Sequence, residues 1–598
     1  MYVKSFFQGR SGRSPAIDCS DKSCLWINPT YIYVLLLTLT TVGLARSPVA
    51  FAQSIDNPVP QNPPSQPQPE LLPPSENLLD NPSNPFNPGT TIPDIPGRWT
   101  IQRFEFVGNS AFTDEELTEK IQSFADRPIS FAELLQVADL ITQLYIDKGY
   151  ITSGAYIPSQ TIGNNVVQIQ IVEGSLETTN ISNSDRLEGY VRRRLALDDS
   201  EPLNINELQQ ALQLLRLDPL VTNISATLSP SPLPGKNILD VAVDAANPWS
   251  ARVTLDNNRS PSVSTFRRRA DVQYDNLLGF GDSIRVAYTN TDGSDDIEAN
   301  YRLPINARNG SLSFNFSTTS SDIVEQPFDQ LEIDSKSRNY ELTLRQPLIQ
   351  TAKQGSSQEF AVGFTLARRE SDTQLFGVGF PLSRGANSDG ETRLSVLRFF
   401  QDYNHRQTRQ VFSARSQFSL GVGWFDATVN SQTPDSRFLA WRGQLLWLRL
   451  LGSQNSDLLD KPKLLVRSDI QLAPSNLVAL EQFSLGGQAS VRGYRQDALL
   501  TDNGALASVE LQLPVFSTSQ IGRVEVIPFI DAGTVWNSSG DQNPDPNFLA
   551  SVGLGLRWQQ GDRFAARLDW GYPLVDIDSR DRTWQENGLY FSLEYNPF

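Results

Sequence analysis

From Trp249 to Phe598 the chain alternates, residue by residue, between apolar side chains and charged or small ones. In RADVQY, Ala270, Val272 and Tyr274 alternate with Arg269, Asp271 and Gln273. In SVGLGLRW, Val552, Leu554, Leu556 and Trp558 alternate with Ser551, Gly553, Gly555 and Arg557; in FAARLDW, Leu568 and Trp570 flank Asp569 and follow Arg567. A period of two is that of a β-strand, whose successive side chains leave opposite faces of a sheet. A soluble sandwich alternates too. Charge on the inner face of so many strands, however, requires water on that side and fits a closed barrel with lipid outside and water inside.

Candidate strands start near residues 249, 265, 281, 295, 309, 336, 357, 391, 409, 436, 462, 503, 521, 547, 562 and 587, sixteen in all. That is about 22 residues per strand with its connection, as ~10-residue tilted strands plus turns require. Connections after strands two, eight and fourteen are tight, as in NLLGFGD and QQGD, whereas those after strands five, seven, eleven and fifteen are long. Short turns on one side and long loops on the other are the asymmetry of an outer-membrane barrel. The pattern therefore predicts a 16-stranded antiparallel transmembrane β-barrel over 247–598, wide enough to hold water.

The rest of the chain divides into four. Residues 1–52 read as a secretory signal: Lys4, Arg10, Arg13 and Lys22 precede an apolar run, Tyr31 to Leu44, and Ala50 and Ala52 form a small-residue exit. Residues 53–98 read as a disordered Pro-rich linker, since 13 prolines fall between Asp56 and Gly97 and such a composition favours extended conformations without a core. Residues 99–174 run β-α-α-β-β. Their helices are announced by Thr113 with Glu116 as a capping box and by Leu134, Val137, Ile141, Leu144 and Tyr145 at helical spacing. Residues 175–246 repeat that order in a shorter copy. Two tandem α+β modules with a free edge strand suit docking of an extended peptide by strand addition; the alternative is a pair of spacers.

Several functions are excluded by composition. Both cysteines, Cys19 and Cys24, lie in the predicted signal, so the mature chain holds no thiol for a disulfide or a metal. Removing five basic and two acidic residues takes the net charge from −17 to −20, which argues against nucleic acid as a partner. His405 is the one histidine, so a Ser-His-Asp triad, a His-based zinc site or a His-carboxylate protease would each have to use it; it reads instead as a lone solvent or lumen residue. No phosphate-binding motif of the Walker type is present. Neither an enzyme nor a cofactor is expected.

Two stretches stand out, one a loop that breaks the regular run of strands and one within a strand. SLGGQASVRGYRQD, Ser484 to Asp497, lies within a long loop, 473–503, and FIDAGTVW, Phe529 to Trp536, lies in the strand after next. With the signal, the spacer, the paired modules and the barrel, the motif VRGY, Val491 to Tyr494, makes Trp99 to Phe598 resemble two-partner secretion transporters, the haemolysin secretion and activation family. The resemblance implies that the modules are POTRA domains. It also implies that the loop folds into the lumen, where Val491, Arg492, Gly493 and Tyr494 meet a wall motif of Phe529, Asp531 and Gly533. Arginine presents five donors in a rigid fork that a carboxylate can hold bidentately. The alternative is an exposed loop whose arginine pairs with solvent.

The resemblance further implies export of a large unfolded exoprotein, β-helical in type, from the periplasm through the outer membrane without ATP. Outer-membrane lipid and the barrel assembly machinery are the other expected partners. The latter would read a terminal strand with Phe591, Leu593 and Tyr595 outward and Phe598 last. An insertase, an import channel or a passive porin are the alternatives. Two departures stand out: Pro73 and Pro74 interrupt the leucine-containing segment ELLPPSENLLD where relatives carry a plug helix, and Pro597 is unusual in a paired strand.

Overall fold

The computed structural model describes residues 71–72, 78–80, 97–162, 165–183, 186–195, 202–353, 355–431, 434–452, 461–518, 520–538, 540–577 and 582–597. The signal reading, both cysteines and Phe598 lie outside the described residues.

The chain order begins with β1 (Leu79–Asp80), β2 (Arg98–Thr100), β3 (Arg103–Val107), α1 (Asp114–Ile121), β4 (Pro128–Ser130), α2 (Phe131–Asp147), β5 (Gly154–Tyr156) and β6 (Val166–Val172). Both helices start at capping boxes: Thr113 with Glu116, and Ser130 with Glu133. The α2 stripe of Leu134, Val137, Ile141 and Tyr145 is buried on the sheet of β3, β6 and β5, with β3 parallel to β6 and β5 antiparallel to it. The second module repeats this with β7 (Ser175–Ser182), α3 (Glu188–Leu195), α4 (Ile205–Arg216), β8 (Val221–Pro230) and β9 (Lys236–Ala245). Again the first and third strands pair in parallel and the second takes the outside, next to the third.

Two expectations need correcting here. Leu72, Leu78 and Leu79 of the Pro-rich linker are buried, and β1 pairs in parallel with β8, with Leu79 opposite Ala226 and Asp80 opposite Thr227. The linker thus joins a core, and the second module's edge strand is not free. Composition averaged over the linker hides Ser75–Asn81, a proline-free run between Pro74 and Pro82 that keeps its amide donors.

The barrel runs β10 (Trp249–Asp256), β11 (Arg267–Asp275), β12 (Ser283–Asn290), β13 (Ser294–Pro304), β14 (Ser311–Asp322), β15 (Ile333–Lys353) and β16 (Ser356–Leu375). After the two-residue β17 (Val378–Gly379) come β18 (Glu391–Gln407), β19 (Gln410–Val422), β20 (Leu439–Leu450) and β21 (Lys463–Leu472). Inside the long loop lie β22 (Phe483–Leu485) and β23 (Leu499–Thr501). The wall closes with β24 (Asn503–Thr518), β25 (Gly522–Trp536), β26 (Phe548–Gln560), β27 (Phe564–Pro573) and β28 (Leu589–Tyr595).

Sixteen antiparallel strands form this closed wall, β17 being only a flap on β16, and β10 pairs with β28 to complete it. All sixteen start within three residues of their expected positions. Val272, Leu556, Leu568 and Trp570 face outward and are exposed on the outer wall, while Arg269 and Asp271 face the lumen and pair with Glu298 and Arg285. The tight connections lie on the side of the modules, where the Asn276 side chain donates to the Arg186 carbonyl at 2.9 Å. The connection 451–462 on that same side is long and departs from the asymmetry. Pro597 lies past the end of β28 and takes no ladder position.

Candidate functional site

The segment 473–502 leaves the wall at β21 on the side away from the modules and returns at β24. Its β22–β23 hairpin carries the VRGY tip into the lumen, where Val491 packs with Phe483, Leu485, Leu506, Val535 and Leu549 in one apolar cluster. This buried cluster fixes the loop against the wall before any charge is considered.

Arg492 is fully buried at the centre of a charged knot. Its Nε and Nη2 donate to the two oxygens of Asp531 at 2.7 and 2.8 Å, and its backbone N–H reaches the same carboxylate at 3.2 Å. Its guanidinium carbon stands 3.4 Å from the ring centroid of Phe529, stacked in cation–π fashion. The remaining arm donates to Glu510 at 2.7 Å. Ser508 donates to Asp531 at 2.6 Å, so the wall carboxylate is held from both sides.

The other motif residues are placed as tightly. Gly493 has φ +97°, a conformation side chains resist, and its N–H donates to the Tyr590 hydroxyl at 2.9 Å. Tyr590 in turn donates to the Tyr494 carbonyl. The Tyr494 hydroxyl lies 2.8 Å from the Ala550 carbonyl oxygen and accepts from the Val575 N–H at 3.1 Å. Gly533 leaves the space that Leu485 fills: a Cβ there would sit 2.6 Å from Leu485 Cδ1. In the terminal strand Phe591 stacks with Phe266 at 6.2 Å, and Leu593 and Tyr595 are exposed on the outer wall.

Residues outside both motifs complete the knot. Glu510, on β24, also accepts from Arg467 at 3.1 Å and Arg567 at 3.0 Å, and Arg567 pairs with Asp569 at 2.8 Å. Gly571 on β27 touches the loop itself, since a Cβ there would lie 2.6 Å from the Gly493 nitrogen. The inward parity of Arg567 and Asp569 was readable from FAARLDW; that Glu510 would gather three arginines was not.

Beside this knot the lumen keeps a cavity of about 820 Å³, lined by Arg269, Arg345, Arg398, Arg415 and Arg442 among other polar side chains. Beyond the hairpin the loops of the far side are tied together. Arg384 pairs with Asp541 and stands 3.9 Å from Asp502, which accepts from the Leu477 and Ser538 N–H groups at 2.8 and 2.9 Å. Asn430 donates to the Gly385 carbonyl at 2.9 Å. Under them Leu477, Val478 and Leu480 pack on Leu394, Val396 and Phe438. The cavity is thus lidded on the side away from the modules.

The family model described as haemolysin secretion/activation protein ShlB/FhaC/HecB matches residues 235–558, more than half of the chain, and that of the ShlB-type POTRA domain matches residues 99–174. The chain belongs to the ShlB/FhaC/HecB family. The outer membrane transporter CdiB of Dickeya dadantii (strain 3937) is 22% identical over 489 residues, 80% of this chain and 83% of its own length. The heme/hemopexin transporter protein HuxB of Haemophilus influenzae (strain 86-028NP) is 22% identical, covering 79% of this chain and 83% of its own. Among solved structures, CdiB from Escherichia coli superposes with a TM-score of 0.64 at 21% identity, covering 86% of this chain and 93% of that one, a likeness of fold.

As a member of this family of transporters, the chain is a two-partner secretion protein that exports a partner protein across the outer membrane. The barrel sits in that membrane and the modules are periplasmic POTRA domains. The lidded side of the lumen is therefore the extracellular one.

Proposed function

We propose that the POTRA domains capture the partner in unfolded form as an added strand, and that the lumen passes it outward without nucleotide hydrolysis. The tandem β-α-α-β-β modules at the periplasmic mouth carry this reading, because a sheet edge binds any extended chain through main-chain hydrogen bonds. A β-helical exoprotein suits the route: it crosses extended and gains its core only outside.

In the same reading the VRGY tip is a lumenal latch, Arg492 being its bolt and Asp531, Phe529 and Gly533 its seat. Phe591, Leu593 and Tyr595 present the outward pattern that the barrel assembly machinery reads.

Deleting Trp99–Ala245 tests the capture step. The expected result is an inserted barrel that no longer exports its partner. Export at the wild-type level would remove the docking role and leave the modules as spacers.

A further inference from the structure

The linker segment ELLPPSENLLD contains two Leu-Leu pairs seven residues apart, Leu71-Leu72 and Leu78-Leu79. Each pair touches a different part of the transport route. Leu78 and Leu79 enter the core of the second POTRA domain, with Ile224, Leu208 and Leu212, and the Ala226 N–H of β8 donates to the Leu78 carbonyl at 2.8 Å. Leu71 packs on an apolar cluster of the barrel, Val411, Leu446, Leu448 and Leu465.

That cluster is out of place in a charged lumen. Leu446 and Leu448 are buried while Leu445, between Gln444 and Leu446, is 36% exposed on the lipid side, so the cluster faces inward. Val411, Leu448 and Leu465 lie in one row across β19, β20 and β21, at their periplasmic ends. A row of uncharged side chains at the entrance needs an apolar cover, and the linker supplies one.

The edge strand β8 offers more than the linker uses. It has ten residues, Val221–Pro230, and β1 pairs with two of them. Its counterpart in the first domain, β5, has three.

Taking the capture reading as its premise, we propose that the linker is a placeholder for the exported chain: β8 and the Val411–Leu448–Leu465 row are successive docking stations for one extended polypeptide bearing apolar pairs, and the exoprotein takes them by displacing Leu78–Asp80 and Leu71–Leu72. A two-residue ladder can be exchanged for a longer one on the same edge. A tethered competitor holds the edge by its high local concentration and yields to a strand that pairs along more of β8.

The test uses a fluorescent peptide of the linker's own sequence, Glu70–Asp80, on the full chain in detergent. Three proteins are compared: wild type; a variant with Leu71, Leu72, Leu78 and Leu79 each changed to Ser; and Asp80→Cys with Thr227→Cys in a Cys19→Ser, Cys24→Ser background. Opposed positions of a ladder lie within disulfide reach. The vacated variant should bind the peptide roughly 10-fold or more tighter than wild type, since the tethered competitor is gone. The oxidised variant should not bind it, and reduction should return binding to the wild-type level, which also shows that the fold is intact. Equal binding by all three proteins, or none by the vacated variant, overturns the proposal. If either occurs while deletion of Trp99–Ala245 still abolishes export, only the placeholder falls; if the deletion leaves export untouched, the capture reading falls.

Discussion

Arg492 Nη1 lies 2.7 Å from Oε1 of Glu510, and this same oxygen receives Arg467 at 3.1 Å and Arg567 at 3.0 Å. One buried carboxylate therefore bridges guanidinium groups from the loop, from β21 and from β27, tying three parts of the chain at a point. Removing one partner of a buried pair leaves the others uncompensated, at about 3 to 5 kcal/mol when water is excluded. The lumen is wet beside the knot, so the lower part of that range applies.

Glu510→Gln keeps the shape and removes the charge. Export should fall, and the temperature at which the folded barrel loses its fast gel mobility should drop. A variant that melts and exports like wild type would mean that the loop is held without this carboxylate, by Asp531 and the uncharged contacts around it.

Arg492→Ala and Asp531→Ala should each release the tip and change single-channel conductance in planar bilayers. Because the two groups touch, their effects should not add. The swap Arg492→Asp with Asp531→Arg should recover part of the lost export; strictly additive losses in the double-mutant cycle would remove the latch.

Gly571→Ala carries no charge change. Its Cβ would meet the Gly493 nitrogen at 2.6 Å and the Arg492 carbonyl carbon at 2.8 Å, both of them backbone. Overpacking of this sort costs roughly 1–3 kcal/mol. The loop 473–502 should become cleavable by added protease while the barrel stays inserted; continued protection would show that the wall yields instead.

Arg384→Gln addresses the extracellular lid. It removes the charge paired with Asp541 and facing Asp502. Mean conductance of the purified protein should rise, by a factor read in planar bilayers, with the latch undisturbed. No change in current would locate the constriction elsewhere.

The first POTRA domain should show a distinctive acid response. The Ser130 backbone N–H and then Arg127 hold the Glu133 carboxyl down from 4.5 to about 2. A depressed folded value adds stability above the unfolded value, and this is lost as pH falls from about 4.5 through about 2. Hydrogen exchange of α2 amides, corrected for intrinsic rates, should accelerate over that window in wild type and change less in Glu133→Gln. Identical profiles would show that the capping box does not depend on this charge.

What could be read from the sequence follows the range of the forces involved. Strand alternation and helix caps are local, so Val272 beside Asp271, or Thr113 before Glu116, betray their elements within a few residues. The Arg492–Asp531 contact came only from resemblance, because the two are far apart along the chain and no periodicity joins them. Gly571 looked like any strand glycine, since its reason is a backbone passing from another segment. Leu78 and Leu79 were hidden by the prolines around them, which dominate an average although they leave the leucines' own amides intact.

Tyr590 belongs to the final strand, yet it holds Gly493, 97 residues earlier. The tip of the loop is synthesised well before the hydroxyl that anchors it exists. The Gly493 N–H and the Tyr494 carbonyl can find that partner only when β28 has paired with β10 and β27. Full engagement of the loop thus reports a finished cylinder, and a chain cut short of Tyr590 would leave it without one of its anchors.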